Sequence, residues 1–137
     1  VVATLKSTLS QTLEESSQRV FGVGIAAGGM VDSDKGVIIA VNLAPAMNGL
    51  PVCDILAEHF SLPTVIDHHP RAFSSATAGS ALDERSRISR QSTPERSWGA
   101  FYMDGKIYRG LAGSGGELGH TIVQIDGAAC NCGKHGC

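Results

Sequence analysis

Apolar positions recur every three or four residues at the start of the chain. Val2, Leu5, Leu9 and Leu13 of "VVATLKSTLSQTLEESSQ" fall on one stripe, and that spacing predicts a helix over 1–18. The pattern then changes. "VFGVGIAAGG" is a short, continuous apolar run rich in strand-forming residues, broken at Gly28 and Gly29, and predicts a buried strand entering a glycine turn. "SDKGVIIAVN" predicts a turn and another strand. In "LPVCDILAEHF" helical spacing returns: Leu50, Ile55, Leu56 and Phe60 form the apolar face, and Pro51 suits the first turn. "LPTVID" predicts a short strand. Strand, helix and strand in this order imply a βαβ unit and a mixed or parallel sheet, hence an α/β protein.

The alternation stops at 80–97. "SALDERSRISRQSTPERS" is rich in Ser and Arg with almost no apolar periodicity, which predicts a solvated insert. Burying several arginines unpaired would cost several kcal/mol each, and Pro94 would remove a ladder hydrogen bond. The segment is therefore expected to lie exposed, outside the sheet. Order returns with "WGAFYMDGKIYRG", where two apolar arms flank Asp104 and Gly105, a strong hairpin signal. "GSGGELGH" predicts a glycine-rich bend entering a short turn or helix. No internal repeat is visible.

Composition narrows the function classes. The chain has 137 residues, enough for one domain or one lobe of a larger one. A formal net charge of -2 argues against a polyanion-binding surface. No apolar run is long enough to cross a membrane, and the first residues lack the basic start of a signal peptide. A cytoplasmic location is the expectation. There thiols stay reduced, so the four cysteines are not expected to form two disulfides. Three of them cluster, while Cys53 stands apart.

The cluster carries the clearest chemistry. His120, Cys130, Cys132 and Cys137 are spaced H-x9-C-x-C-x4-C. Three thiolates and one imidazole make a standard structural zinc set, and Gly133 and Gly136 let the backbone turn tightly around an ion. Four protein ligands leave no open position for water, so such a site would staple a loop and perform no hydrolysis.

With these residues in view, "GELGHTIVQIDGAACNCGKHGC" resembles the zinc signature of the ROK family, named for repressors, open reading frames and kinases. "FGVGIAAGGMVDSDKGVIIAVNL", "MNGLPVCDILAEHFSLPTVID" and "GKIYRGLAGSGGELGH" resemble further family segments. The resemblance covers about 20–72 and 99–137, with 80–97 atypical. It implies an actin-like, ribonuclease-H-like fold of the sugar kinase superfamily, of which 1–137 would be a partial domain. Against the family pattern the chain begins after the first phosphate-binding loop and after any DNA-binding domain, and ends before the closing helices. It is expected to be a fragment.

The resemblance also assigns roles. In ROK kinases an Asn-Asp pair supplies the catalytic base, and here the pair falls on His68 and His69. A histidine can act as a general base but lacks the fixed negative charge. The residues alone read equally as a polar strand end with two solvated histidines. The second phosphate loop, rich in glycine in the family, is replaced by "PERSW" at 94–98. No catalytic residue is assigned, and ATP chemistry is not expected. Glu117, His120, Asn42 and His68 fall on positions implied to face the sugar, although Asn42 reads as well as a turn residue.

Three functions follow. The first is a sugar-responsive ROK transcriptional regulator, or part of one, with a structural zinc and no kinase activity. The second is an ATP-dependent, glucokinase-like sugar kinase whose catalytic parts lie elsewhere. The third is a non-functional gene remnant, suggested by the Ser/Arg-rich run. The implied partners are a sugar or sugar phosphate, DNA only through a separate N-terminal domain, no membrane, and a second copy of the chain in a homo-oligomer.

Overall fold

A computed structural model of the chain describes residues 1–78, 87–93, 96–103 and 106–137. They form two compact units, Val1–Asp67 and His68–Cys137.

In the first unit, helix α1 spans Val2–Glu15, as the apolar stripe predicts. It fully buries none of its side chains; Leu5 is half-buried against the core. Strand β1 spans Val23–Ala27 and lies beside β4, Thr64–His68. Between them come β2 (Met30–Asp32), β3 (Val37–Ala40) and helix α2 (Val52–Phe60). The expected strand–helix–strand order is therefore present. β2 and β3 pair antiparallel, with Val31 opposite Ile38 and Asp32 opposite Val37. Their turn is pinned by the Lys35 N–H, which donates to Asp32 Oδ1 at 3.0 Å.

Val31, Ile38, Val52, Cys53, Leu56 and Ile66 form the core of this unit. The buried face of α2 is rotated from the expected one. Val52, Cys53 and Leu56 are buried, whereas Ile55 and Phe60 are half-buried. The reason is the seat of the helix start on the β2–β3 turn. The Cys53 N–H donates to the Gly36 carbonyl at 3.1 Å, which turns Val52 and Cys53 inward. Burial raises the Cys53 thiol above its ordinary value, as fits a packed side chain rather than a reactive one.

The second unit holds helix α3 (His69–Ala78), which the apolar pattern does not announce, and strands β5 (Arg87–Thr93), β6 (Arg96–Met103) and β7 (Lys106–Ile107). The strands form one antiparallel sheet in the order β5-β6-β7. This corrects the expectation that 80–97 leaves the sheet: residues 87–93 pair along their length with β6, from Arg87 opposite Tyr102 to Thr93 opposite Arg96. An antiparallel ladder requires paired backbone groups, and a hydrophilic composition does not forbid it. Residues 79–86, Pro94 and Glu95 lie outside the described residues, and so do Asp104 and Gly105. The flanks of that last pair do close as a hairpin, with Met103 opposite Lys106.

Buried side chains in this unit include Ala100 and Tyr102, together with the polar His68, Arg71 and Ser74. Among the described residues of the whole chain, no helix is long and apolar enough to cross a membrane.

Candidate functional site

The C-terminal segment folds as a backbone knuckle. The Cys130 N–H donates to the Lys134 carbonyl at 2.8 Å, and the Gly133 N–H to the Cys130 carbonyl at 3.0 Å. Ala129 bridges to His135. The Gly136 carbonyl accepts from the Val123 and Gln124 N–H groups, at 2.8 and 3.2 Å. Gly136 has φ +79°, and a Cβ there would run into the Gln124 carbonyl oxygen, so only glycine fits.

This knuckle brings all four predicted metal ligands together. One donor atom from each of His120, Cys130, Cys132 and Cys137 lies within 4.8 Å of the others. Cys130 Sγ is 3.4 Å from His120 Nδ1, and Cys132 Sγ is 3.7 Å from Cys137 Sγ. A tetrahedral ion with bonds of about 2.0–2.3 Å separates such ligands by about 3.5–3.8 Å, so these two pairs match it and the donor set suits it in composition. The thiols are unequal. Cys132 is lowered to about 7, chiefly because the Lys134 N–H points at its sulfur. Cys137 is raised to about 11 by desolvation, reinforced by the neighbouring thiols of Cys132 and Cys130. Three thiolates this close repel one another, and a bound dication relieves that repulsion.

His120 links the cluster to a second group of side chains. Its Nδ1 faces Cys130, while its Nε2 lies 3.7 Å from Glu117 Oε2. A histidine bound to metal through Nδ1 carries its proton on Nε2, so Glu117 stands where the carboxylate of a carboxylate–histidine–metal arrangement stands. The other Glu117 oxygen, Oε1, lies 3.6 Å from His68 Nε2. Glu117 thus sits between two imidazoles, one buried and one exposed, and its side chain keeps 39% of its own exposure. A carboxylate flanked on two sides and open on a third can accept hydrogen bonds from neighbouring hydroxyls of a polyol.

His68 ends β4 and His69 opens α3, with ring centroids 4.7 Å apart and nearly perpendicular. Asn42 lies exposed after β3, in the first unit. His68, Glu117 and His120 are gathered within the second. Arg71, which carries no signal in "HHPRAFSS", is fully buried. Its Nη1 donates to the carbonyls of Gly113 at 2.8 Å and Gly115 at 3.3 Å.

Fold and site together define a portion of an actin-like α/β domain of the sugar kinase superfamily, carrying a His/Cys3 cluster able to hold a metal. A sequence model of the ROK family matches residues 1–137, and the chain belongs to that family. It is 28% identical over 128 residues to the xylose repressor of Caldicellulosiruptor bescii, covering 90% of this chain and 31% of that protein. It is 32% identical over 127 residues to the glucokinase of Halalkalibacterium halodurans, covering 90% of this chain and 38% of that one. Among solved structures, it resembles a ROK family glucokinase from Streptomyces griseus in complex with glucose and AMPPNP. The TM-score is 0.81 at 25% identity, over 99% of this chain and 43% of that one. The chain therefore spans roughly a third of these relatives' sequences. Repressors and kinases both stand among them.

Proposed function

We propose that this chain is the sugar-sensing, zinc-stapled portion of a ROK transcriptional regulator and does not transfer phosphate. The observation that carries the reading is the placement of Glu117. Its carboxylate is held between His68 and His120, beside a His/Cys3 cluster whose spacing suits zinc. Such a carboxylate binds sugar hydroxyls, and the metal, held by His120, Cys130, Cys132 and Cys137, gives the loop its rigidity. A zinc ion with four protein ligands supplies structure and no Lewis-acid chemistry. His68 completes the proposed sugar contacts. Binding to DNA would belong to a separate N-terminal domain, as in the first reading above.

The absence of kinase activity rests on two departures. His69 stands where the family's base is an aspartate, so no fixed carboxylate is available there to accept the hydroxyl proton. Arg96–Trp98, where glycines would cradle phosphates, belong to β6. The likeness to two glucokinases favours the second reading, an ATP-dependent sugar kinase.

The deciding experiment pairs calorimetry with a coupled assay. Glucose and xylose are titrated into the zinc-loaded chain, and ATP-dependent phosphorylation of both is followed. Saturable sugar binding that Glu117→Gln abolishes, without turnover, is expected. Turnover above the no-enzyme control that disappears in His69→Ala would establish the kinase instead. A chain that takes up neither metal nor sugar would be the gene remnant.

A further inference from the structure

The second unit contains a charged side chain that the proposed sugar and metal sites do not use. Arg71 has no exposed surface. A guanidinium is costly to bury and stays charged, so it persists only where its surroundings repay it with hydrogen bonds. Nη1 donates to two main-chain carbonyls, those of Gly113 and Gly115. Both belong to "GLAGSGGE", the loop that ends at Glu117. Glu117 follows the second carbonyl by two residues.

That loop is rich in glycine. Four of the seven residues 110–116 are glycines, which leave more backbone freedom to lose on ordering than any other residue. Its backbone is nevertheless folded back on itself. The Gly115 N–H donates to the Arg109 carbonyl at 2.8 Å, and a Cβ on Gly115 would lie 2.7 Å from the Tyr108 carbonyl oxygen. Arg71 therefore clamps the loop where it folds back on itself.

The clamp and the carboxylate share an anchor. His68, at the end of β4, touches Glu117 Oε1, and Arg71, in the first turn of α3, is three residues further on. One strand–helix junction thus holds the Glu117 side chain through His68 and the preceding backbone through Arg71. We infer that Arg71 is a positioning residue for Glu117, fixing the carboxylate for sugar from a buried site that no ligand reaches. The inference rests on the sugar-binding role proposed for Glu117.

The test uses the full zinc-loaded chain with Arg71→Met, Arg71→Gln and Arg71→Lys. Hydrogen exchange is read at the amides of Gly113–Leu118, zinc by elemental analysis, and glucose and xylose affinity by calorimetry. In Arg71→Met, exchange at those amides should rise about 10-fold or more, and sugar affinity should fall about 10-fold, with one zinc per chain retained. Arg71→Lys, whose ammonium can still reach a carbonyl, should restore most of both. If the methionine variant does not fold, Arg71→Gln, which keeps one donor, decides by the same local exchange. Unchanged exchange at Gly113–Leu118 overturns the inference, as does a rise spread evenly over the second unit. If the wild type binds neither sugar, the role of Glu117 falls, while exchange still judges the clamp. If it binds sugar and Arg71→Met binds equally well, the clamp falls and the role of Glu117 stands.

Discussion

The two units are held together by different physics. Val1–Asp67 has an aliphatic core of Val31, Ile38, Val52, Leu56 and Ile66, closed by a buried cysteine. His68–Cys137 has an arginine, a histidine and a serine among its buried residues, and its last eighteen residues are turns fastened by main-chain hydrogen bonds around four side chains able to hold a metal. In the first unit, apolar area removed from water does the stabilising, and many residues share it. In the second, directional polar attachments of His68 and Arg71 stand beside the buried Ala100 and Tyr102. Catalytic and binding groups need fixed directions, which packing of aliphatic side chains supplies poorly and directional bonds supply well. Glu117 and the His/Cys3 cluster both occur in the second unit.

The largest effect that would sharpen this contrast is loss of the metal. The wild type should carry one zinc per chain and Cys132→Ser should carry none, as read by elemental analysis. In small zinc domains the ion contributes on the order of 10 kcal/mol of folding free energy. Stripping it with a chelator should therefore free the amides of 120–137 to exchange while those of Val31, Ile38 and Leu56 stay protected. Simultaneous loss of protection in both units would break the comparison.

Leu56→Ala comes next. A buried leucine cut to alanine costs about 2–5 kcal/mol, and Leu56 is only 3% exposed. Denaturant unfolding should show a loss in that range with zinc content unchanged. A loss of zinc instead would mean that the aliphatic core and the knuckle are one cooperative structure.

A smaller effect is set by pH. Zinc binds thiolates, so any thiol still protonated must give up its proton on binding. Cys137 is raised to about 11 and Cys132 lowered to about 7. At neutral pH Cys137 holds a proton that the ion must displace, so affinity should rise with pH by about 10-fold per unit or more. Below about 7 Cys132 is protonated as well, and the dependence should steepen. Competition with a calibrated chelator from pH 6 to 9 measures this, and a flat profile would contradict it.

The smallest effect belongs to Asp32. Hydrogen bonding from the Lys35 N–H holds its carboxyl below the usual 3.8. A depressed folded-state value gives stability that is present above the unfolded value and lost as pH falls through the folded one. Asp32→Ala should therefore lower stability slightly at neutral pH and remove part of the acid dependence below pH 4, as followed by thermal unfolding. Equal acid dependence in variant and wild type would show that the turn contributes nothing.

Periodicity and local chemistry made much of this molecule legible without coordinates. The stripe of Val2, Leu5, Leu9 and Leu13 implied α1, the apolar runs implied β1, β3 and β4, and the spacing of His120, Cys130, Cys132 and Cys137 implied that the four gather in one cluster. These signals are local: a helix repeats every 3.6 residues, and a tight turn brings ligands close in sequence also close in space. Three features were decided only by tertiary structure. α2 buries Val52 and Cys53 because its first turn rests on the Gly36 turn, a contact between segments far apart in the chain. Residues 87–93 form a strand because β6 offers them a ladder, although their own composition reads as solvated. Arg71 is buried because the carbonyls of Gly113 and Gly115, more than forty residues away, take its protons. An arginine in a polar run looks like surface until the loop that accepts its hydrogen bonds is in place. Pairing across that distance is set by the fold and leaves no periodic trace in the sequence.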